Sequence, residues 1–132
     1  MTGKWSKKSW TGESSAFYQT TKWKNFRKKI IEETPLCELC SQYGFVNAGK
    51  IADHIIPRSI CEDLEYEVDN IQILCEDFEG GTNCHSQKTA QSRNIKLIES
   101  FIDEMENGKL QYICTEKKKK KLFELLKEKG LK

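Results

Sequence analysis

Six cysteines among 132 residues constrain this chain more than any other feature of its sequence. In a secreted protein of this size they would predict three disulfides. The start, MTGKWSKKSW, carries charge but no apolar core. We therefore predict no secretory signal and expect a reducing cytoplasm, where disulfides are disfavoured. Metal binding becomes the favoured interpretation of the cysteines.

Two pairs of cysteines predict a structural zinc site: Cys37 with Cys40, and Cys75 with Cys84. The first pair is a C-x2-C turn, from which two thiolates can reach one tetrahedral zinc ion. The second pair is looser, with eight residues between its members. Buried cysteines without a metal are the alternative, because thiols pack well as small apolar groups. Cys61 competes for either ligand position of the second pair, and no role is indicated for Cys114.

Charge is unevenly distributed along the chain, although the net charge is only +2. Residues 1–36 carry +5, residues 37–93 carry −6 and residues 94–132 carry +3. The basic ends fit a phosphate-binding surface and solvated helix faces equally well. A composition of 37% hydrophobic and 32% charged residues excludes both a membrane protein and a disordered chain. The apolar runs are too short for a helix that spans a bilayer.

The spacing of apolar residues predicts four helices and two short strands. The first helix runs from Thr21, its predicted N-cap, to Glu33. It ends at Thr34-Pro35, because a residue before proline avoids the α conformation. Residues 58–69 are predicted to form an acidic loop. The other elements are strands at 51–56 and 70–75 and helices at 83–92, 94–106 and 116–129.

Both histidines lie within the cysteine-rich span. His54 follows Asp53 on the first strand, and His85 follows Cys84 at the start of a helix. Neighbouring side chains on a strand point to opposite faces, so one of Asp53 and His54 can hold an ion while the other approaches a water molecule. A lone histidine is usually structural. Two histidines and a carboxylate beside a metal framework favour a catalytic site instead.

Four segments together resemble the HNH endonuclease family, and more narrowly its phage-type members with a four-cysteine zinc site. The resemblance covers about residues 17–93 and includes the lead-in from Phe17-Tyr18 through Trp23-Lys24. The segments occur in the family's order: Cys37-x2-Cys40, Asp53-His54-Ile55-Ile56-Pro57, Asp69-Asn70-Ile71-Gln72-Ile73-Leu74-Cys75 and Cys84-His85-Ser86-Gln87-Lys88-Thr89.

The resemblance implies an α+β fold of the ββα-metal (His-Me finger) type, with a zinc knuckle and flanking α-helices. We expect three regions on this basis. Residues 1–16 form a flexible basic arm, residues 17–93 form the HNH nuclease domain with its zinc site, and residues 94–132 form a C-terminal helical extension.

The resemblance also implies a role for each residue of the predicted site. His54 is the general base, since a neutral imidazole can accept a proton from water near pH 7. Asp53 and His85 bind a catalytic divalent cation, Mg²⁺ or Mn²⁺, and the imidazole extends the tolerated ions to other transition metals. Asn70 holds the intervening loop and orients His54. The two cysteine pairs hold the structural Zn²⁺.

One departure from the family's pattern lies between Cys75 and Cys84, where six residues are inserted and acidic side chains are added. The role of this segment, 76–83, is left open. Arg58, Lys88 and Arg93 are predicted DNA-phosphate contacts, with solvated surface positions as the alternative. The Lys117–Lys121 run is predicted to be mostly a solvated helix face, with contact to the DNA backbone or to the acidic face of a partner as the alternative.

The predicted function is a divalent-metal-dependent DNA endonuclease that nicks DNA. The phage-type resemblance implies a phage or prophage origin and action in the bacterial cytoplasm. It also implies a terminase or another packaging protein as a partner, and no association with a membrane. The alternative is a catalytically inactive zinc-dependent module that binds DNA or protein. The presence together of Asp53, His54, Asn70 and His85 disfavours that alternative, because a scaffold does not need them. A restriction-type nuclease for modified DNA ranks lower, since no base-reading element is visible.

Overall fold

A computed structural model describes residues 16–76, 83–108 and 113–132. These residues form a two-stranded antiparallel sheet with helices around it, which confirms the predicted α+β class. The predicted basic arm, apart from residue 16, lies outside the described residues, as do positions 77–82 of the inserted segment. The elements are α1 (Thr21–Glu33), α2 (Glu38–Gln42), β1 (Ile51–His54), β2 (Ile71–Leu74), α3 (Cys84–Ser92), α4 (Ile98–Glu106) and α5 (Glu116–Glu128).

The bounds of α1 agree with the sequence prediction, but its N-cap does not. Thr20, not Thr21, has extended backbone angles, and its side chain accepts a hydrogen bond from the backbone N–H of Trp23. Thr34 ends the helix as predicted. Trp23 and Ile30 are the buried residues of α1, and they pack with apolar side chains of both strands. This packing holds one face of α1 against the sheet.

The sheet is shorter than the sequence indicates, because β1 ends at His54 instead of continuing to residue 56. His54 pairs with Ile71, and Ile51 pairs with Leu74. Beyond His54 the chain turns out of the strand, since the backbone and side chain of Asn70 bind the N–H groups of Ile55 and Ile56. The loop that follows contains two short 3-10 helices, Glu62–Leu64 and Val68–Asn70, and returns the chain to β2.

A tight turn places α2 against the end of β2. Leu36 and Ala48 form an isolated antiparallel bridge that closes this turn. A Cβ atom on Gly49 would lie 2.1 Å from the Cγ2 atom of Ile73. Glycine is therefore required where the turn crosses the sheet. Glu38 adds a second link, because its carboxylate accepts a hydrogen bond from the backbone N–H of Ile73.

The C-terminal helices share a core with the segment that follows β1. Ile55, Ile56 and Leu64 are fully buried against apolar side chains of α4 and α5. The α4 helix begins at Ile98 and not at residue 94, because Leu97 has an extended backbone. The α5 helix ends at Glu128, one residue before the predicted end. Within the described part of the chain, no helix combines the length and apolarity needed to cross a membrane.

Candidate functional site

The structure brings the four predicted cysteines together in one buried cluster. Their sulfur atoms all lie within 4.8 Å of one another, and we call Cys37, Cys40, Cys75 and Cys84 the thiol cluster. The Cys40 sulfur lies 3.7 Å from that of Cys75 and 3.6 Å from that of Cys84. Sulfurs bound to one tetrahedral zinc ion at about 2.3 Å lie about 3.8 Å apart. The donor set and its spacing therefore fit a tetrahedral metal ion.

The surroundings of the thiol cluster also fit a bound cation. Burial raises the pKa of Cys37 to about 11 and raises the pKa of Cys84 as well, so both thiols need a nearby cation to ionise at neutral pH. The side-chain amide of Asn47 and backbone N–H groups donate hydrogen bonds to the sulfurs. Cys61 and Cys114 pack instead against the core of the C-terminal helices.

Asp53 and His85 lie close together and border one cavity. The Oδ1 atom of Asp53 lies 3.7 Å from Nε2 of His85. His85 is the second residue of α3, directly after Cys84, so the thiol cluster fixes its backbone. Asp53 is 8% exposed. Its other oxygen, Oδ2, lies 3.1 Å from the ammonium of Lys88. A buried carboxylate whose Oδ1 faces an imidazole nitrogen fits a divalent cation.

His54 is held from two directions. Its Nε2 lies 2.9 Å from the carbonyl oxygen of Glu65, which can only accept a hydrogen bond, so Nε2 carries the proton. Its Nδ1 is therefore unprotonated and lies 3.2 Å from the Tyr18 hydroxyl, which donates to it. The Trp23 ring stacks on the imidazole at 4.9 Å between centroids. Burial lowers the pKa of His54, which keeps the ring neutral near pH 7.

Asn70 fixes the loop that leaves β1. Its side chain is fully buried and forms paired hydrogen bonds with the backbone of Ile56, in which Oδ1 accepts at 2.9 Å and Nδ2 donates at 3.1 Å. Nδ2 also lies 3.4 Å from the carbonyl oxygen of Leu64. Glu65, whose carbonyl oxygen binds His54, is the next residue in the same loop. Asn70 therefore supports the position of His54 through the loop.

The three predicted phosphate contacts have different surroundings. Lys88 is 3% exposed, and its ammonium lies 3.1 Å from Asp53 Oδ2 and donates to the backbone carbonyl of His54. Arg58 donates to the carboxylate of Glu65 at 2.8 Å. Arg93 is exposed, and its side chain lines a cavity beside the site. Binding of DNA phosphate by these residues stays a prediction.

Two residues that sequence reasoning assigned no role lie against the predicted site. Tyr18 contacts His54, and Glu76 accepts a hydrogen bond from Nδ1 of His85 at 2.6 Å. Glu76 follows Cys75, and that position next to a predicted ligand was the available signal. Tyr18 lies 36 residues before its partner and gives no comparable signal.

A cavity of about 630 Å³ opens onto this group of side chains, and we call it the main cavity. Asp53, His54 and His85 border it together, although Asp53 and His54 are neighbours on one strand. A smaller cavity of about 240 Å³ borders Asp53 and His54 as well. The neutral imidazole of His54 and two side chains that can bind a cation, Asp53 and His85, thus border one space that is open to solvent. It is suited to activating a water molecule next to a bound cation.

Three comparisons relate this chain to known proteins. The family model described as HNH endonuclease matches residues 37–91. Among solved structures, the HNH endonuclease of the deep-sea thermophilic bacteriophage GVE2, crystallised with a manganese ion, is similar with a TM-score of 0.55 and 27% identity. The match covers 64% of this chain and 86% of the GVE2 chain. Comparison with curated proteins gives no match.

Proposed function

We propose that this chain, whose residues 37–91 match the HNH endonuclease family model, is a metal-dependent nuclease that acts on DNA. Its proposed reaction centre consists of Asp53, His54, Asn70 and His85. The observation that carries the proposal is the state of His54, whose Nε2–H is held by a carbonyl oxygen while Nδ1 lacks a proton. His54 borders the same cavity as Asp53 and His85, the two proposed ligands of a cation. A general base and a cation site in one space are the requirements of phosphodiester hydrolysis.

His54 is proposed to take the proton of the attacking water on Nδ1. The oxygen of this water forms a bond to phosphorus while the bond from phosphorus to the 3′ oxygen breaks. The 3′ oxygen takes a proton from solvent, which gives a 5′-phosphate and a 3′-hydroxyl end. The stack with Trp23 and the hydrogen bond to Glu65 keep the imidazole in orientation throughout.

Asp53 and His85 are proposed to hold the catalytic cation through Oδ1 and Nε2. A divalent cation held by these two residues would supply neutralisation of the charge on the phosphate. Mg²⁺ and Mn²⁺ are the proposed ions, and the manganese of the GVE2 structure supports this choice. Glu76 supports His85, because its carboxylate accepts a hydrogen bond from Nδ1 and so leaves the lone pair of Nε2 available to bind the cation.

Asn70 is proposed to act as a positioning residue. Its amide holds the backbone of Ile56 and Leu64 and so keeps the loop with Glu65 against the imidazole. It is outside the set that borders the main cavity. Its effect on the reaction is therefore expected through His54.

The thiol cluster is proposed to hold one Zn²⁺ ion with a structural role. Four thiolates close the coordination sphere of zinc and leave no position for substrate. The cluster joins α2, the end of β2 and the start of α3, so a bound ion links the elements that carry the reaction centre. The sulfur spacing supports zinc over larger or harder ions.

Our proposals on the mode of cleavage, the origin and the partner of this chain rest on its likeness to a phage nuclease. We propose that the chain nicks DNA, because one reaction centre cleaves one strand at a time. A phage or prophage origin, and a terminase or another packaging protein as partner, are proposed on the same likeness. Action in the cytoplasm of a bacterial host follows from these proposals.

The decisive experiment uses the purified full chain, supercoiled plasmid, and Mg²⁺ or Mn²⁺. We expect conversion to nicked circles, no conversion with a chelator that leaves the zinc bound, and no conversion by His54→Ala. Glu124→Ala, which changes an exposed side chain of α5, serves as the control and should cleave like the wild type. A folded, zinc-bound wild type that leaves the plasmid intact with either ion would contradict the proposal and favour an inactive binding module. Equal cleavage by His54→Ala would contradict it as well.

A further inference from the structure

The cations around the reaction centre differ in whether an acidic partner already neutralises them. Arg58 lies 2.8 Å from a carboxylate oxygen of Glu65 and 3.8 Å from one of Glu62. Lys88 is buried with its ammonium against Asp53. Two of the three cations that the sequence nominates for DNA are therefore engaged inside the protein.

A different set of cations borders the main cavity without such partners. Lys24, Arg27 and Lys28 lie at i, i+3 and i+4 of α1, so they share one face of the helix, which we call the α1 basic face. Among the described residues none of the three forms an ion pair. The Arg27 guanidinium donates to the carbonyl oxygen of Lys50 at 2.9 Å, which holds it beside the start of β1. The acidic residues of α1 lie at its far end, at Glu32 and Glu33.

A second pair of cations lies beside the reaction centre, at the smaller cavity. Arg93 and Lys96 line the smaller cavity, which also borders Tyr18, Asp53 and His54. Both side chains are exposed, and neither forms an ion pair with a described residue. Cations that form no ion pair with a described residue therefore border both cavities beside the proposed base and cation site.

We propose that the α1 basic face binds phosphates of the DNA strand on one side of the scissile bond, and that Arg93 and Lys96 bind phosphates on the other side. The proposal rests on the proposed nuclease function, since a strand with one phosphate at Asp53 and His85 must continue in both directions. Lys24 and Lys28 are separated by about 6 Å along the helix axis. DNA is therefore proposed to be bound through its backbone over several phosphates.

The test measures the salt dependence of DNA binding. Full-length, zinc-bound protein carrying His54→Ala is titrated against a short fluorescent duplex over a series of KCl concentrations, without added catalytic cation. Each phosphate contact contributes about 0.9 to the slope of log K against log salt. The double variant Lys24→Ala/Lys28→Ala should lower that slope by about two and weaken binding by about tenfold or more at low salt. Arg93→Ala/Lys96→Ala should do the same.

A matched control removes the same charge elsewhere. Lys29→Ala/Lys121→Ala changes one exposed lysine of α1 that does not line the main cavity and one exposed lysine of α5. It should keep the slope of the parent protein. Equal slopes for the cavity and control variants would overturn the inference, and plasmid cleavage by the wild type would then leave the proposed function standing. Loss of slope in the cavity variants alone, with a wild type that cleaves no plasmid, would support the inference and contradict the nuclease proposal.

Discussion

The thiol cluster, which we call the closed site, and the Asp53–His85 pair, which we call the open site, are adjacent in the sequence, because Cys84 and His85 are consecutive residues of α3. The first site has four buried sulfur donors and is closed to solvent. The second has two donors of different chemistry on the wall of a large cavity. Closed sites with four protein ligands stabilise folds, whereas sites with open positions admit substrate. We therefore propose that consecutive side chains serve different purposes, Cys84 the stability of the fold and His85 the chemistry.

The largest effect is expected from damage to the closed site. Cys40→Ser removes the sulfur that lies close to both Cys75 and Cys84. Structural zinc contributes about 10–16 kcal/mol in small zinc-binding peptides, and the whole stability of a domain is about 5–15 kcal/mol. The variant should therefore lose bound zinc and unfold, as measured by metal analysis and circular dichroism. Cys61→Ser lies outside the cluster and should keep both zinc and fold, and a folded Cys40→Ser protein without zinc would break the comparison.

A substitution in the open site is expected to lower the rate of DNA cleavage without lowering the stability of the fold. His85→Ala removes one of the two proposed ligands of the catalytic cation but leaves Cys84 in place. Loss of several kcal/mol of transition-state stabilisation corresponds to a fall in turnover of about a thousandfold. Plasmid cleavage should fall by this factor while the zinc content and the melting temperature stay near the wild-type values. Loss of zinc or of the folded state in His85→Ala would show that the two sites are not separable.

The comparison also explains which parts of the molecule could be predicted from sequence. The Cys37–Cys40 pair and the bounds of α1 follow from local spacing, because a C-x2-C turn and an apolar helix face are visible in the sequence itself. The predicted end of β1, at residue 56, is wrong by two residues, because the strand ends at His54. Its end depends on hydrogen bonds that the backbone N–H groups of Ile55 and Ile56 donate to Asn70, which lies 14 residues beyond Ile56, and no local pattern reports such a contact.

The charged residues could not be ranked from the sequence. Lysine is almost always exposed, so Lys88 was expected on the surface. Its burial depends on the approach of α3 to the end of β1, where Asp53 and the carbonyl oxygen of His54 bind the ammonium. Lys24 and Lys28 look like any lysines on an amphipathic helix. Their position beside the cavity becomes visible only when α1 packs on the sheet through Trp23.

A smaller effect is expected from Glu76, which touches the open site through His85. Glu76→Gln removes the negative charge from the hydrogen bond to Nδ1 and so makes Nε2 a weaker donor to a cation. Changes to such supporting residues typically cost about 10–100-fold in metal affinity. The Mn²⁺ concentration that gives half-maximal cleavage should rise by about this factor, with maximal turnover largely kept. Glu99→Gln, on the exposed side of α4, is the control. An unchanged Mn²⁺ requirement would place Glu76 outside the open site.

The smallest effect is expected from Tyr18. Its hydroxyl donates to Nδ1 of His54, the nitrogen proposed to take the proton of water, so it competes with that water for one lone pair. The imidazole does not depend on Tyr18 for orientation, because Glu65 and Trp23 hold it from other directions. A typical hydrogen bond contributes about 0.5–1.5 kcal/mol net. Tyr18→Phe should therefore raise turnover by about twofold to tenfold and leave the Mn²⁺ requirement unchanged, as measured by initial nicking rates at saturating DNA. A fall of tenfold or more would mean that the hydroxyl positions the water, and the open site would then extend to the segment before α1.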